Sequence, residues 1–157
     1  MAPPTTSDPC TIVIFGGSGD LSKRKLLPAL YELHCESRIA PETAIVGYAR
    51  TGESDDTYRK EMHDAVAEFA RQKPIDEAKW AEFASRLYFF RGDLYQEKNV
   101  EGLKTRLAEV EKERKLPGNR LYYLAIPPSA IGGVVKNLGE AGLVYPVDAG
   151  AWSRVIV

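Results

Sequence analysis

The sequence predicts an α/β fold in which helices cover both faces of one doubly wound parallel sheet. Two observations predict it: short apolar runs alternate with longer amphipathic segments, and a cluster of glycines follows the first apolar run. With 157 residues, 44% of them hydrophobic, the chain is long enough for one domain with its own core. We therefore expect a proline-rich flexible tail over residues 1–10 and a single Rossmann-like domain over residues 11–157.

Apolar runs and amphipathic segments give the predicted elements in chain order. The strands are predicted over residues 11–15, 43–49, 87–90, 121–126 and 155–157. The helices are predicted over residues 21–36, 58–70, 76–87, 100–115 and 129–141, so that two of them lie between the second and third strands. Pro28 falls inside the first helix, where its missing N–H group predicts a kink or a local break.

The loop after the first strand carries the strongest functional signal. It reads GGSGDLSKRK over residues 16–25, in which Gly16, Gly19 and Ser22 give the spacing GxxGxxS. In a dinucleotide fingerprint the first glycine permits a tight turn and the second lets phosphate approach the backbone, while the third small residue lets helix and strand pack closely. Glycine turns between a strand and a helix also occur without a ligand, so both interpretations stay open on this pattern alone.

Two further residues of the loop refine this hypothesis. A Walker phosphate loop is excluded because Leu21 stands where that motif needs a glycine. Asp20 is an acid beside a predicted phosphate, so we expect it to cap the following helix instead. Its carboxylate would accept N–H groups of the first turn and leave the loop N–H groups to the ligand.

Two other strand ends add to the coenzyme hypothesis. The second strand ends in GYART, where Arg50 occupies the position at which NAD enzymes usually place an acid; a guanidinium there could bind the 2′-phosphate of NADP, with Thr51 beside it. An ordinary surface arginine is the alternative. The fourth strand ends in AIPPS, and its prolines fit either a rigid turn beside the nicotinamide or a plain strand terminator.

Composition and charge restrict the class of protein. The formal net charge of −1 gives no overall attraction to nucleic acid or to an anionic membrane. Cys10 and Cys35 lack the spacing of a zinc site or a disulfide framework, so we predict no metal and two free thiols. No apolar run approaches the length of a membrane span, and the opening residues lack the regions of a signal peptide. We therefore expect a cytoplasmic protein.

The segments GGSGDLSKRKLLPALY, IVGYAR, FRGDLY and LYYLAIPPS together resemble the amino-terminal coenzyme domain of glucose-6-phosphate dehydrogenases, over about residues 11–135. The resemblance implies oxidation of glucose 6-phosphate to a lactone, with NADP as hydride acceptor, in the pentose phosphate pathway. By the same resemblance Arg50 would hold the 2′-phosphate, Ala125 and Pro127 would line the nicotinamide end, and Lys25 would face the substrate. The coenzyme phosphates would be held by Gly16, Gly17, Ser18, Gly19, Asp20, Leu21, Ser22 and Lys23.

The chain also departs from the family pattern. Ile131 stands where some relatives have tyrosine, so no polar contact is expected there. The EKPFG and DHYLGK motifs, the second of which carries the general-base histidine, are absent, as is the sheet domain through which relatives form homo-oligomers. His34 and His63 lie away from the predicted strand ends and are expected to pack on helices. Because general-base catalysis is worth about 10² to 10⁴ in rate, we expect NADP binding with negligible turnover.

Two alternatives remain at this stage. The chain could be a noncatalytic NADP-binding or regulatory module. An unrelated short reductase on the same fold would need a Tyr-x-x-x-Lys pair near the third crevice strand, and the chain does not offer one there.

Overall fold

Five parallel strands form one sheet in a computed structural model that describes residues 5–93, 95–145 and 149–157. The strands are β1 (Thr11–Phe15), β2 (Ala44–Ala49), β3 (Leu87–Arg91), β4 (Arg120–Leu124) and β5 (Ser153–Ile156). Their order across the sheet is β3-β2-β1-β4-β5, and every neighbouring pair is parallel. The chain therefore winds outward from β1 in one direction and then in the other, which confirms the predicted doubly wound fold and places the switch point between β1 and β4.

Five α-helices connect the strands, as predicted. They are α1 (Leu27–Cys35), α2 (Asp55–Phe69), α3 (Glu77–Ala84), α4 (Glu97–Arg114) and α5 (Pro128–Glu140). The third predicted helix was too long at its carboxyl end, because β3 begins at Leu87 and the chain must leave the helix before it. Within the described residues, no helix combines the length and the apolar composition needed to cross a bilayer.

A π-helical turn over Ser22–Leu26 leads into α1. The N–H group of Leu27 donates to the carbonyl of Ser22, one residue further back than in an α-helix. Pro28, the next residue, has no N–H group to donate to the preceding turn. The predicted local break is therefore confirmed, and it takes the form of a wider turn rather than an interruption of the helix.

Two hydrophobic layers lie on opposite faces of the sheet. The layer beneath α4 and α5 includes Val13, Phe15, Tyr48, Tyr122, Leu103, Leu107 and Leu138. The layer beneath α1, α2 and α3 includes Ile14, Ile45, Leu27, Tyr31, Met62, Trp80 and Phe83. Successive residues of β1 and β2 alternate between the layers, as the two-residue repeat of a strand requires. The core thus fixes the strand ends whose loops build the site.

The two edges of the sheet are covered differently. At the β3 edge, the Phe89 N–H group donates to the Asp55 carboxylate at 2.7 Å, and the Leu87 carbonyl accepts from Arg59 Nε at 2.9 Å. Both side chains come from α2, so they satisfy main-chain groups that an edge strand would otherwise present to another strand. At the β5 edge, Val155 and Ile156 are exposed. The main-chain groups of the β3 edge are therefore protected by α2.

Residues 5–10 run along the segment that precedes β2. The Ser7 N–H group donates to the Arg38 carbonyl at 3.0 Å, and the Cys10 N–H group donates to Thr43 Oγ1 at 3.2 Å. Cys10 is itself buried. The described part of the predicted tail thus contacts the domain, while residues 1–4 lie outside the described residues and the boundary at residue 10 stays a prediction.

Candidate functional site

The turn after β1 depends on Gly16. Its φ angle is +82°, in the region that strongly favours glycine, and a Cβ added there would collide with the Ala125 carbonyl oxygen. The Gly16 N–H group donates to the Tyr48 carbonyl at 3.0 Å. The prediction that the first glycine permits a tight turn is confirmed, and the contact with Ala125 shows that the turn also lies directly against the end of β4.

Gly17 lets the turn cross closely over β2. A Cβ on Gly17 would lie 2.6 Å from the Gly47 Cα, and a Cβ on Gly47 would overlap the Tyr58 ring. The Tyr58 hydroxyl donates to the Gly17 carbonyl at 3.0 Å, while the Gly17 N–H group donates to the Tyr48 carbonyl. Both main-chain polar groups of Gly17 therefore have partners within the chain, so its contribution to the site is close packing.

The next part of the loop presents main-chain donors. Among the described residues, we find no main-chain acceptor for the N–H groups of Ser18, Asp20 and Leu21. Gly19 closes the turn by donating to the Gly16 carbonyl at 2.9 Å, and fully buried Ser22 donates its hydroxyl to the same carbonyl at 2.8 Å. The predicted close packing at the third small residue is thus confirmed, and the unpartnered N–H groups give the loop the chemistry of an anion site.

The charged residues at the end of the loop differ in whether they form ion pairs. Asp20 accepts from Arg24 Nε at 2.7 Å and caps no N–H group of the first turn, so the prediction that it caps the helix with its carboxylate was wrong. Arg24 also lies over the Phe69 ring, and Lys23 Nζ lies 2.6 Å from the Glu61 carboxylate. Lys25 is exposed and makes no ion pair or hydrogen bond with any described residue.

A cleft of about 440 Å³ opens beside this loop at the carboxyl ends of the strands. Its volume lies within the range of ligand pockets. The cleft brings together residues from four strand ends: Gly16, Ser18 and Gly19 after β1, Tyr48, Ala49, Arg50 and Thr51 at β2, Gly92, Asp93 and Tyr95 after β3, and Ala125, Ile126 and Pro127 after β4. The predicted residues Arg50, Ala125 and Pro127 thus meet the glycine loop in one place. The other predicted residues lie in the loop but do not line the cleft: Gly17, Asp20, Leu21, Ser22, Lys23 and Lys25.

Arg50 is the cation of the cleft. Its side chain is exposed, and it makes no ion pair or hydrogen bond with any described residue. The carboxylate of Asp93 lines the same cleft. Tyr48 lies between these strand ends, and burial, together with the nearby Asp93 charge, raises its pKa to about 12. The tyrosine is therefore neutral at physiological pH, so Arg50 and Asp93 set the charge of this end of the cleft.

Sequence reasoning missed the contribution of β3 to the cleft. Gly92 and Asp93 lie directly after β3, and Tyr95, with 70% of its surface exposed, follows them. A Cβ on Gly92 would lie 2.5 Å from the Tyr48 hydroxyl oxygen, so the close approach of these two strand ends requires glycine. The position of Gly92 and Asp93 after the third predicted strand could have indicated this contribution, because loops at the carboxyl ends of neighbouring parallel strands meet at one edge of the sheet.

Neither histidine lines the cleft. His34 packs against Phe83 and lies 3.6 Å from the Glu82 carboxylate; burial, reinforced by the nearby Arg86 cation, lowers its pKa. His63 Nε2 lies 3.0 Å from the Glu77 carboxylate, and its ring contacts Trp80. The prediction that both pack on helices is confirmed. Ile131, where no polar contact was expected, packs against the hydrophobic layer of α4 and α5.

Comparison with known proteins agrees with this arrangement. A family profile described as the NAD binding domain of glucose-6-phosphate dehydrogenase matches residues 13–157. The glucose-6-phosphate 1-dehydrogenase of Chlamydia pneumoniae is 40% identical over 156 residues, which are 98% of this chain and 30% of that protein. The enzyme of the same name from Dickeya dadantii is 38% identical over 91% of this chain and 28% of its own length. The chain thus spans about 30% of the length of these curated relatives.

Solved structures give the same result at the level of the fold. A glucose-6-phosphate dehydrogenase in complex with its substrate glucose 6-phosphate superimposes with a TM-score of 0.80 at 36% identity, covering 100% of this chain and 31% of that one. The glucose-6-phosphate 1-dehydrogenase of Mycobacterium avium superimposes with a TM-score of 0.74 at 27% identity, over 95% of this chain and 29% of that one. The chain therefore belongs to the glucose-6-phosphate dehydrogenase family, in which it matches the coenzyme-binding domain.

Proposed function

We propose that this chain is the coenzyme-binding part of a cytoplasmic glucose-6-phosphate 1-dehydrogenase that uses NADP. The named activity of its relatives supports the reaction, and the relative solved with glucose 6-phosphate supports the substrate. The location is supported by Cys10 and Cys35, which are both free thiols. In this reaction, NADP would accept a hydride from the anomeric carbon of the sugar phosphate.

The residues present fit a dinucleotide. The tight turn at Gly16 and the close crossing at Gly17 set the loop against β2 and β4. The N–H groups of Ser18, Asp20 and Leu21 are the donors to which we assign the pyrophosphate, because they have no main-chain acceptor among the described residues. This set is narrower than the run from Gly16 to Lys23 that the family resemblance implies, because Gly16, Gly17 and Lys23 use their N–H groups within the chain.

The preference for NADP depends on Arg50. Its guanidinium lines the cleft at the end of β2 and has no acidic partner among the described residues, so it can bind a phosphate without first breaking an ion pair. A guanidinium binds phosphate through two parallel hydrogen bonds, which also fixes the orientation of the phosphate. This unpaired cation beside the glycine loop is the observation that carries the proposal.

The reaction side of the cleft is assigned to Ala125, Pro127 and Lys25. Ala125 and Pro127 line the cleft after β4, on the far side of the glycine turn from Arg50, and would position the nicotinamide end. Lys25 does not line the cleft, but it is the one member of the basic triplet without a described partner. Its unpaired ammonium would attract the phosphate of the substrate.

Coenzyme selection is tested by measuring NADP⁺ and NAD⁺ binding to the 157-residue chain by isothermal titration calorimetry. We expect tighter binding of NADP⁺, and Arg50→Ala should weaken it about tenfold or more while changing NAD⁺ affinity less than about twofold, since a hydrogen bond to a charged group contributes about 1.5 to 3 kcal/mol. Arg71→Ala is the matched control, because Arg71 is exposed and lies away from the cleft. Equal affinities for the two coenzymes, or an unchanged preference in Arg50→Ala, would contradict the assignment.

Turnover by the same chain is expected to be negligible. The substrate hydroxyl needs a positioned proton acceptor, and neither His34 nor His63 lines the cleft. Absorbance of the reduced coenzyme should therefore stay constant when glucose 6-phosphate and NADP⁺ are added together. Steady production of NADPH that depends on the sugar phosphate would show that a described residue acts as the base.

A further inference from the structure

A second cleft, of about 500 Å³, lies at the opposite end of the sheet. It is formed where the chain enters β2 and β3, and its charged lining residues are Arg86, Arg114, His34 and Glu82. Arg86 immediately precedes β3, and Arg114 ends α4. This cleft shares no lining residue with the cleft at the carboxyl ends of the strands.

Arg86 is a buried cation without a described acidic partner. Only 5% of its surface is exposed, and its Nη1 donates to the Ala40 carbonyl at 2.8 Å and to the Thr43 carbonyl at 3.4 Å. Its Nε is buried and has no hydrogen-bond partner in the described part of the chain, and we find none there for Nη2. Because Nε is closed to solvent, Nη2 is the guanidinium nitrogen that remains for a ligand in the cleft, and it can donate a charge-assisted hydrogen bond.

The surrounding charges leave the cleft positive. Arg114 uses its three nitrogens on the carbonyls of Glu42, Ser85 and Pro41, so its charge is not neutralised by a contacting carboxylate. The Glu82 carboxylate is the acid lining the cleft; it is largely exposed and lies 3.6 Å from His34 Nε2. Two guanidinium groups and one carboxylate therefore line the cleft, while a second carboxylate, that of Glu42, lies near Arg86 outside the lining. A buried cation without a partner is unfavourable, and a bound anion would remove that cost.

We propose that this cleft binds a compact oxyanion through Arg86, either inorganic phosphate or the phosphate group of a small metabolite. The small exposed fraction of Arg86 excludes a bulky group at the guanidinium, whereas one oxygen of a tetrahedral oxyanion is small enough to approach Nη2. His34 lines the cleft beside Arg86 and can add a hydrogen bond, whereas the Ser85 hydroxyl already donates to the Glu82 carbonyl at 2.6 Å. The proposal does not depend on coenzyme binding, because the two clefts lie at opposite ends of the strands.

The test is a titration of the ¹⁵N-labelled 157-residue chain with inorganic phosphate and, separately, with glycerol 3-phosphate, followed by NMR. We expect saturable shifts of the amide signals in the segments 39–43 and 85–86, in which every residue except Pro41 has an N–H group. The pKa of His34, read from its ring signals, should rise when phosphate binds, because a nearby anion favours the charged imidazole. Tighter binding of glycerol 3-phosphate would identify a metabolite as the ligand, and tighter binding of inorganic phosphate would identify the free ion.

Two variants and one control make the result specific. Arg86→Lys keeps the charge but removes the Nη2 donor, and it should weaken phosphate binding about tenfold. Ser85→Asp keeps Arg86 and places a carboxylate at an exposed position of the cleft, so it should prevent binding even if Arg86→Lys fails to fold. Arg50→Ala should leave these shifts unchanged, because Arg50 lies in the other cleft.

Three results would overturn the proposal. The first is a response at residues 39–43 and 85–86 that rises linearly without saturation. The second is a set of shifts confined to the glycine loop. The third is unchanged affinity in both Arg86→Lys and Ser85→Asp.

Discussion

At the amino end of the sheet, Arg120 and Arg114 hold the structure together, whereas Arg50 at the carboxyl end is left without a described partner. Arg120, the first residue of β4, binds the Glu111 carboxylate at 2.6 Å, and Arg114 binds three backbone carbonyls. Arg50, at the carboxyl end, makes no ion pair with any described residue. Arg120 and Arg114 thus fix the chain through contacts that Arg50 does not make, and Arg50 remains available to a ligand.

The two ends of the sheet also differ in how closely other residues approach their glycines. At the carboxyl end, Gly16, Gly17 and Gly92 are positions where an added Cβ would lie less than 3 Å from another residue. Gly118, which precedes β4 at the amino end, also has a positive φ of +92°, but a Cβ added there would lie 3.7 Å from the Cβ of Ala151, its nearest described neighbour. Close backbone approach is therefore concentrated where the cleft is built, and this contrast can be tested by substitution at each end.

The largest expected effect is at the amino end. Arg120→Met would leave the Glu111 carboxylate, 11% exposed, without its partner, and should reduce the free energy of unfolding by about 3 to 5 kcal/mol. The measurement is urea denaturation followed by circular dichroism. Arg38→Met is the control, because its ion pair with Glu36 is exposed and should contribute less than about 1 kcal/mol. Equal losses in the free energy of unfolding would contradict the difference between the buried ion pair of Arg120 and the exposed ion pair of Arg38.

A smaller loss of stability is expected at the carboxyl end from Gly16→Ala. The new Cβ would meet the Ala125 carbonyl in a backbone conformation that alanine disfavours, so we expect a loss of about 3 kcal/mol. Gly118→Ala shares the positive φ but not the collision, and should cost about 1 kcal/mol. If chemical denaturation gives the same loss of unfolding free energy for both variants, the collision with Ala125 does not contribute to the cost at Gly16.

The two cleft arginines should differ in the same assay. Arg86→Met removes charged hydrogen bonds to the carbonyls of Ala40 and Thr43 and should cost about 2 kcal/mol of unfolding free energy. Arg50→Ala removes no described contact and should change stability by less than about 0.5 kcal/mol. A large loss in Arg50→Ala would mean that this arginine is structural, which would weaken its assignment to the coenzyme.

The smallest expected effect is a pH dependence that arises at the amino end. Burial and the nearby Arg86 cation lower the pKa of His34 in the folded chain, so the unfolded chain binds this proton more tightly. Stability should therefore be full above about pH 6.5 and fall as the pH decreases toward the folded pKa. His34→Gln should reduce this slope in denaturation curves measured from about pH 7 to about pH 5. An unchanged slope would show that other groups cause it.

Much of the fold could be predicted because its signals are local. β1 was predicted residue for residue, and the irregularity at Pro28 followed from its missing N–H group. The end of the third helix was predicted too far along the chain because residues 76–87 form one amphipathic pattern that includes the start of β3. The hydrophobic period alone does not show where a helix gives way to a buried strand.

The site was predicted less completely because it depends on distances between strands. The role of Gly16 followed from its position in the loop, but its contact with Ala125 requires β1 and β4 to be neighbours. The pairing of Asp20 with Arg24 competes with capping in a way that spacing does not reveal, since both arrangements are compatible with the helix. Gly92 and Asp93 belong to the FRGDLY segment that carries the family resemblance, but no role was assigned to them, although they follow a strand that ends at the same edge.

The placement of the coenzyme is tested most directly by an NMR titration of the labelled chain with NADP⁺. We expect the largest amide shifts on residues 18–22, 50–51, 92–93 and 125–126, with little change at residues 39–43 and 85–86. Such a map would link all four strand ends of the cleft to one ligand. Shifts concentrated at the amino end of the sheet, or saturable binding that leaves Ser18, Asp20 and Arg50 unperturbed, would contradict this placement.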